Sequence, residues 1–570
     1  MEKLSYPIIP NFLLGIAGGI QYLHFKNAAK NPTKSQENTL REILSFAKDS
    51  VYGKEHHFSE ILKAKTDKEL YALYQKYVPA NDYEDLHPYI ERHKHGEADV
   101  LFMGKPVMYA TTSGTTNEPK WIPITKRYLS DVYGKMNKAW LYTMIRNRRM
   151  VFAGKLVSIV GKVIEGEAPD GTICGSISGV AQRDCPKFVK DLSPYPFSVY
   201  SISDYTARYY AIMRFGIERN TTLIITANPS TIVEMQNNVN EYFDQYVEDI
   251  EKGTVNEKMN IPADIRESFK PYLKPNPKRA KELRELKEKY GTVLPKHYWP
   301  DFQVLNTWKC GNTKVYLDKF KDSFPEQMFH QEFSYYATEC RFGLVIDDTV
   351  NTIPCTHMHY TEFVPEEDMD KPAAEKRFIQ VADLEEGKRY IAYVTTFAGL
   401  YRYCMNDLIE VGPKYWNTPS VHLVQKINGI VTMTGEKLHE KQFIDAVRAV
   451  EKKMNLPLRF FIGFADLDIS AYRFYYEFDD LKTTQAQAEE FTKQVDEELK
   501  KYNMEYKAKR DSFRVKDPLT HRLQRDSFEQ FKALCIAEGS RDGQFKLNLL
   551  LQDEKRHAKF KKLVLSNQKK

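Results

Sequence analysis
The chain has 570 residues, 42% of them hydrophobic and 28% charged, enough for two or more domains with substantial cores. Its 83 basic and 77 acidic residues leave a net charge of only +6, which implies no dedicated nucleic-acid surface. Seven cysteines, an odd number with no Cys-x-x-Cys pair, argue against a disulfide framework and a zinc ribbon, and the composition is that of a soluble cytoplasmic enzyme.

Residues 6–23 are apolar but interrupted by Pro7, Pro10, Asn11 and three glycines, with no small-residue cleavage site after them. They read as a segment packed on a large domain rather than a signal peptide or membrane span. Neither His93-Lys94-His95 nor His357-Met358-His359 has the spaced partners a transition-metal site needs.

Residues 107–110 form a short apolar strand and residues 121–124 resume an extended pattern, so the polar run between them is a turn. It reads Thr111-Thr112-Ser113-Gly114-Thr115-Thr116-Asn117-Glu118-Pro119-Lys120. Hydroxyls at Thr112, Ser113, Thr115 and Thr116, backbone N–H groups at Gly114 and the Lys120 ammonium are donors suited to a triphosphate. The spacing is not that of a Walker A loop. An ordinary Ser/Thr-rich hairpin loop is the other reading of the run alone.

Residues 175–179, Gly-Ser-Ile-Ser-Gly, line an acyl pocket or form a plain loop, and the charge run at 278–289 is a solvated helix or the border of a ligand entrance. Tyr335-Tyr336-Ala337-Thr338-Glu339 places a lone carboxylate at the end of a strand, where it can hold Mg²⁺ on phosphate oxygens or simply be solvated. The run 399–407 ends in Asp407, an acceptor for ribose hydroxyls or a capping carboxylate.

Residues 412–419 are turn-rich and a hinge is expected at 426–429. Beyond it Phe443, Val447 and Val450 mark a helix face, strands follow at 458–464 and 472–478, and a helix starts near Thr484 with Gln487 completing a capping box. That helix buries Phe491, Val495 and Leu499, giving a small α+β domain after an N-terminal part of packed α/β layers. The expected organisation is 1–425, hinge 426–429 and 430–570. The basic tail, with Lys561, Lys562, Lys569 and Lys570, is solvated surface.

The ordered motifs Thr-Ser-Gly-Thr-Thr-x-x-Pro-Lys, Tyr-x-Ala-Thr-Glu and Tyr-Arg-Tyr-x-x-x-Asp resemble those of the adenylate-forming superfamily. Within it the chain resembles the Gretchen Hagen family of acyl acid amido synthetases over residues 37–550. The features that carry this are Trp121-Ile122-Pro123 after Lys120, the entry segment 83–92, the strand and turn at 305–311, and Thr434-Gly435-Glu436-Lys437-Leu438, which is similar to a segment of bacterial members. Asn117, Cys340 and Asn406 stand where the superfamily usually has glycine; asparagine visits the left-handed region readily, cysteine does not.

The resemblance implies a large multilayer N-terminal adenylate-forming domain, a smaller mobile C-terminal domain, and ATP and Mg²⁺ as cofactors. It implies that Ser113, Gly114, Thr115, Thr116 and Lys120 hold phosphates, that Glu339 holds Mg²⁺, and that Tyr336, Ala337 and Thr338 line the nucleotide. Asp407 would grip the ribose, Gly311 would admit backbone to the adenine, and Lys546 in Gln544-Phe545-Lys546 would be the mobile catalytic lysine. A carboxylic acid is adenylated and its acyl group passed to an amine, usually an amino acid, with no nucleic acid, membrane or obligate protein partner. An acyl-CoA ligase or other adenylate-dependent transferase, and a nucleotide-binding protein without turnover, are the alternatives.

Overall fold
The computed structural model describes residues 4–112, 120–161, 163–310, 314–369, 371–427, 429–480, 482–527, 530–531, 549–552 and 554–565. It divides into two compact units, one of residues 1–111 and 121–425, the other of residues 112–120 and 426–570.

In the first unit a four-stranded sheet is parallel throughout: Lys155–Ser158, Thr221–Ile225, Val304–Thr307 and Phe329–Glu332, with Leu223 opposite Val304 and Val304 opposite Phe329. Strands such as Thr-Thr-Leu-Ile-Ile are apolar in continuous runs, as parallel strands covered on both faces must be. One cover is the helix Tyr205–Glu218, buried along nearly its whole length after an Asp204 N-cap. A second sheet contains the strand Met108–Thr112, which runs parallel to Ile173–Gly175 and has Lys120–Ile124 on its other side. The third is five-stranded, in the order Ile379–Gln380, Tyr360–Pro365, Arg389–Thr395, Tyr403–Tyr415, Thr418–Lys426.

The strand at 107–110 and the extended stretch at 121–124 thus sit in the positions the sequence suggests, and the charge run is the helix Pro277–Tyr290. Two local expectations change. The turn-rich stretch 412–419 is mostly strand, and the reversal is confined to Trp416-Asn417, with Trp416 at φ +56°. The strand expected to carry Glu339 ends at Glu332, seven residues earlier, because Ser334 takes a left-handed φ of +78° and the chain then folds into a tight turn.

Residues 6–23 belong to an unbroken helix, Ile8–Lys30. Pro10 lies in its first turn, where a missing N–H costs no hydrogen bond, and Gly18 is where the helix crosses Gly134–Asn147: a Cβ there would lie 2.4 Å from the Lys138 carbonyl oxygen.

The second unit pairs Leu458–Asp466 antiparallel with Ala471–Phe478, flanked by Lys516–Arg522 and Leu550–Leu551. The helix Glu440–Met454 buries Phe443, Val447 and Val450, and Gln485–Tyr502, started by the Thr484–Gln487 capping box, buries Phe491, Val495 and Leu499. Glu436, from the Thr434-Gly435-Glu436-Lys437-Leu438 segment, is fully buried and accepts the Met433 and Thr434 amides and the Tyr472 hydroxyl. That segment is therefore a structural anchor of this unit.

Two buried ionisable side chains, Arg402 and Glu332, tie the first unit together. Arg402, at φ +42°, donates from Nε to Glu362 at 2.8 Å and from Nη1 to the Val78 carbonyl at 2.8 Å, while its own carbonyl accepts the Asn81 amide. Glu332, at the end of the last parallel strand, accepts the Lys309 amide at 2.5 Å and so holds the turn that leads to Gly311. Burial pushes its carboxyl up to about 7, against the opposing pull of the Lys309 amide and ammonium.

Arg402→Leu leaves Glu362 buried and uncompensated and should cost about 3–5 kcal/mol in urea unfolding, much of it recovered in the Arg402→Leu, Glu362→Leu double variant. An unchanged midpoint in the single variant contradicts this role. For Glu332, the folded protein keeps a proton up to about pH 7 that the unfolded chain releases near 4.5, so stability falls as pH rises through that window. Glu332→Gln should flatten this fall, about 1–3 kcal/mol between its ends, as measured by denaturant unfolding at a series of pH values.

Candidate functional site
The site lies where the loop after Phe329–Glu332 meets the start of Tyr403–Tyr415. Past Ser334 the chain turns back on itself: the Ala337 amide donates to the Cys340 carbonyl at 2.9 Å, the Phe342 amide to the Tyr335 carbonyl at 3.1 Å, and Tyr336 bridges Arg341. Glu339 sits in this turn and is buried. The Tyr335 hydroxyl donates to Asp407 Oδ2 at 2.5 Å, joining residues 72 positions apart. Burial and the Asp407 carboxylate raise the Tyr335 phenol far above its ordinary range, and Glu339 adds to the effect. Glu339 also raises the buried Tyr403 phenol, after burial itself. Of the two carboxylates named from sequence, Asp407 is bonded to Tyr335 and Glu339 lies in the turn that follows that tyrosine.

The departures from glycine have physical answers. Asn406 adopts φ +53°, so an asparagine stands at a position that needs the left-handed region. Cys340 is not among the residues with positive φ; it is fully buried and needs no glycine-like backbone. Asn117 lies outside the described residues.

Tyr336 packs edge-on against Phe333, with ring centroids 5.4 Å apart, and its hydroxyl hydrogen-bonds that of Tyr133. The Arg341 guanidinium lies 5.4 Å from the Tyr336 ring and 4.8 Å from the Trp140 ring and donates to Asn137. Burial lowers its basicity, and its Nε and Nη2 have no hydrogen-bond partner among the described residues. Its surroundings include the Tyr336, Tyr133 and Tyr128 phenols, whose influence opposes that of burial. Arg341 and Tyr133 were not legible as site residues from sequence, except that Arg341 directly follows the Glu-Cys pair.

The entry segment is the helix Tyr83–Lys94, begun by an Asp82–Asp85 capping box. Its Tyr83 hydroxyl accepts the Trp121 amide at 2.8 Å, and Lys94 Nζ lies 4.5 Å from the Trp121 ring centroid. Two features that looked family-specific in the sequence are therefore bonded to each other. Lys120 is buried at the start of its strand, within the segment that groups with the second unit. Residues 175–179 are a strand end and a helix start, with Ser176 Oγ capping the Gly179 amide. Ser113, Gly114, Thr115, Thr116, Gly311 and Lys546 lie outside the described residues.

Among the described residues no cluster of three or more His, Cys, Asp or Glu side chains is placed to hold a metal ion. His359 is buried, pushed down to about 4 by burial, and its Nε2 is bonded to the Arg341 carbonyl. Magnesium makes a smaller demand, one or two carboxylates with phosphate and water completing its shell, and Glu339 is a donor of that kind.

The GH3 family N-terminal domain matches residues 21–329, the GH3 family central domain residues 352–426 and the GH3 family C-terminal domain residues 441–555. The chain is 24% identical over 462 residues to the indole-3-acetic acid-amido synthetase GH3.10 of Arabidopsis thaliana, covering 76% of this chain and 77% of that one. It is 24% identical over 460 residues to the jasmonoyl-L-amino acid synthetase GH3.5 of Oryza sativa subsp. japonica, with 75% and 76% covered. Its fold is similar to that of a solved GH3.15 acyl acid amido synthetase, at a TM-score of 0.62 and 20% identity over 95% of each chain. The matched domains span most of the sequence, and the chain belongs to the GH3 family.

Proposed function
We propose that the protein is an acyl acid amido synthetase that works through an acyl adenylate. A carboxylate oxygen of the acid bonds to the α-phosphorus of ATP and pyrophosphate leaves. An amine nitrogen, most naturally that of an amino acid, then bonds to the activated carbonyl, AMP leaves with the electron pair of the broken C–O bond, and the nitrogen gives up a proton. The observation that supports this best is the hydrogen bond from Tyr335 to Asp407, with Glu339 in the turn just after Tyr335, in a chain of this family.

Each residue has a physical task. Asp407, fixed by the Tyr335 hydroxyl, accepts from the ribose, and Tyr336, Ala337 and Thr338 line the nucleotide. Glu339 would hold Mg²⁺, which when bound supplies charge neutralisation to the phosphates. Ser113, Gly114, Thr115, Thr116 and Lys120 take phosphate oxygens, and Gly311 leaves room beside the adenine. The buried Arg341 biases this side of the turn toward anionic groups, which both substrates carry. Lys546 meets the charge that builds at the α-phosphate, carried there by movement about a hinge at 426–429.

The test is a screen of carboxylic acids for ATP-dependent pyrophosphate release, followed by amines or CoA and mass spectrometry of the product. An amide and AMP are expected, with CoA a poor substitute; a thioester without any amide moves the protein to the acyl-CoA ligases, and no adenylation of any acid leaves a nucleotide-binding protein. With an accepted acid, Glu339→Gln should cut adenylation by about 10²-fold or more and Asp407→Ala should weaken ATP binding, while Lys546→Ala slows adenylation and spares transfer from a preformed adenylate. Wild-type pyrophosphate exchange in the Glu339 and Asp407 variants removes those two roles.

A further inference from the structure
The helix Ile8–Lys30 has two opposite faces of different fate. Asn11, Leu14, Gly18, Tyr22, Phe25 and Ala29 are buried, three or four residues apart. Asn11 Nδ2 donates to the Arg149 carbonyl at 2.8 Å and Gly18 presses on Lys138 and Tyr142, so the helix runs antiparallel to Gly134–Asn147 and is fixed to it. The outer face is also apolar: Ile9 is 66% exposed, Phe12 63%, Ile16 52%, Ile20 48% and Leu23 56%. At helical spacing these side chains form one continuous stripe, with Ile8 at 70% beside its start. A stripe of this kind on a helix held flat to the protein cannot be explained by the core of the unit that carries it.

The charge around the stripe indicates what covers it. Residues 8–30 and 134–149 contain seven basic side chains, Lys26, Lys30, Lys135, Lys138, Arg146, Arg148 and Arg149, and no acidic one. Lys26 and Arg146 line a groove of about 560 Å³ together with Gly15, Ile16, Gly19 and Leu23. Arg146 is held there by donating to the Tyr22 hydroxyl and lies 4.8 Å from its ring, and Lys26 Nζ lies 5.8 Å from the Trp416 ring. Two carboxylates offset part of this charge, Asp131 by pairing with Lys135 at 3.1 Å and Asp347 where it accepts the Tyr415 hydroxyl at 2.5 Å, and the basic side chains still outnumber them. A second copy docked by the same face would bring an equal excess of positive charge against this one. An anionic lipid surface offers acyl chains to the stripe and negative headgroups to its basic border.

We infer that the outer face of the helix Ile8–Lys30 docks the protein, in the plane of the interface, on membranes containing anionic phospholipid. The inference does not depend on the catalytic reading.

The test is co-sedimentation of the full-length protein with vesicles of phosphatidylcholine alone and of phosphatidylcholine with phosphatidylglycerol, with light scattering of the free protein in parallel. Binding should be roughly tenfold stronger to the anionic vesicles and weaken with added salt. The Ile16→Asp, Ile20→Asp variant should lose it while keeping the wild-type circular dichroism and unfolding midpoint, since both side chains are exposed. The Lys30→Glu, Lys138→Glu variant should lose the preference for anionic lipid and retain whatever binding the neutral vesicles give. No sedimentation with anionic vesicles, or equal sedimentation of wild type and the Ile16→Asp, Ile20→Asp variant, overturns the inference. So does a dimer in free solution that the same two substitutions dissociate, which would make a second copy the occupant.

Discussion
The hydrogen bond from the Tyr335 hydroxyl to Asp407 is the constraint on which the site depends. It joins the loop that leaves the parallel sheet to the first residues of a long antiparallel strand, two pieces of backbone that share no ladder. A carboxylate buried this deeply must be matched by donors, and a short bond from a phenol supplies one without adding a competing charge. Glu339, in the turn that follows, adds to the rise of the same phenol after burial and Asp407. Its ring is in turn stacked on Phe342, 4.8 Å away, within the core.

Around that bond the chain uses buried ionisable side chains repeatedly to hold loops. Arg402 carries the segment ending at Asn81 onto the antiparallel sheet, and Glu332 carries the turn after Thr307. In each case the charged group is bonded to backbone as well as to, or in place of, a side chain, which fixes a loop path rather than adding much net stability. Arg341 is different. It sits on the Trp140 and Tyr336 rings and donates to Asn137, so aromatic faces rather than a carboxylate partner hold it in place.

What could be read from sequence was local. The face Phe443, Val447, Val450 and the Thr484–Gln487 cap are short-range patterns, and they occur where periodicity and capping chemistry put them. The two strands on either side of the polar run were equally visible, because their apolar patterns are local. The long-range pairs are not of that kind: Tyr335 with Asp407 and Tyr133 with Tyr336 in the candidate site, and Arg402 with Glu362 in the core, are separated by 72, 203 and 40 residues. Nothing in the neighbourhood of Tyr335 marks it as the partner of an aspartate, and Ser334, whose left-handed backbone ends the strand early, carries no glycine to announce it. The apolar stretch at 6–23 shows the limit from the other side. Its prolines and glycines suggested interruption, yet Pro10 falls in the first turn and Gly18 at a helix crossing, the positions where a helix tolerates or requires them.

The central claim is that Tyr335 and Asp407 act as one unit in nucleotide binding. Calorimetric titration of a non-hydrolysable ATP analogue into wild type, Tyr335→Phe, Asp407→Asn and the double variant measures their coupling directly. Each single variant should lose affinity, and the double variant should lose little more than the worse single, a coupling of about 1–3 kcal/mol. Strictly additive losses, or wild-type affinity in both single variants, would contradict the account.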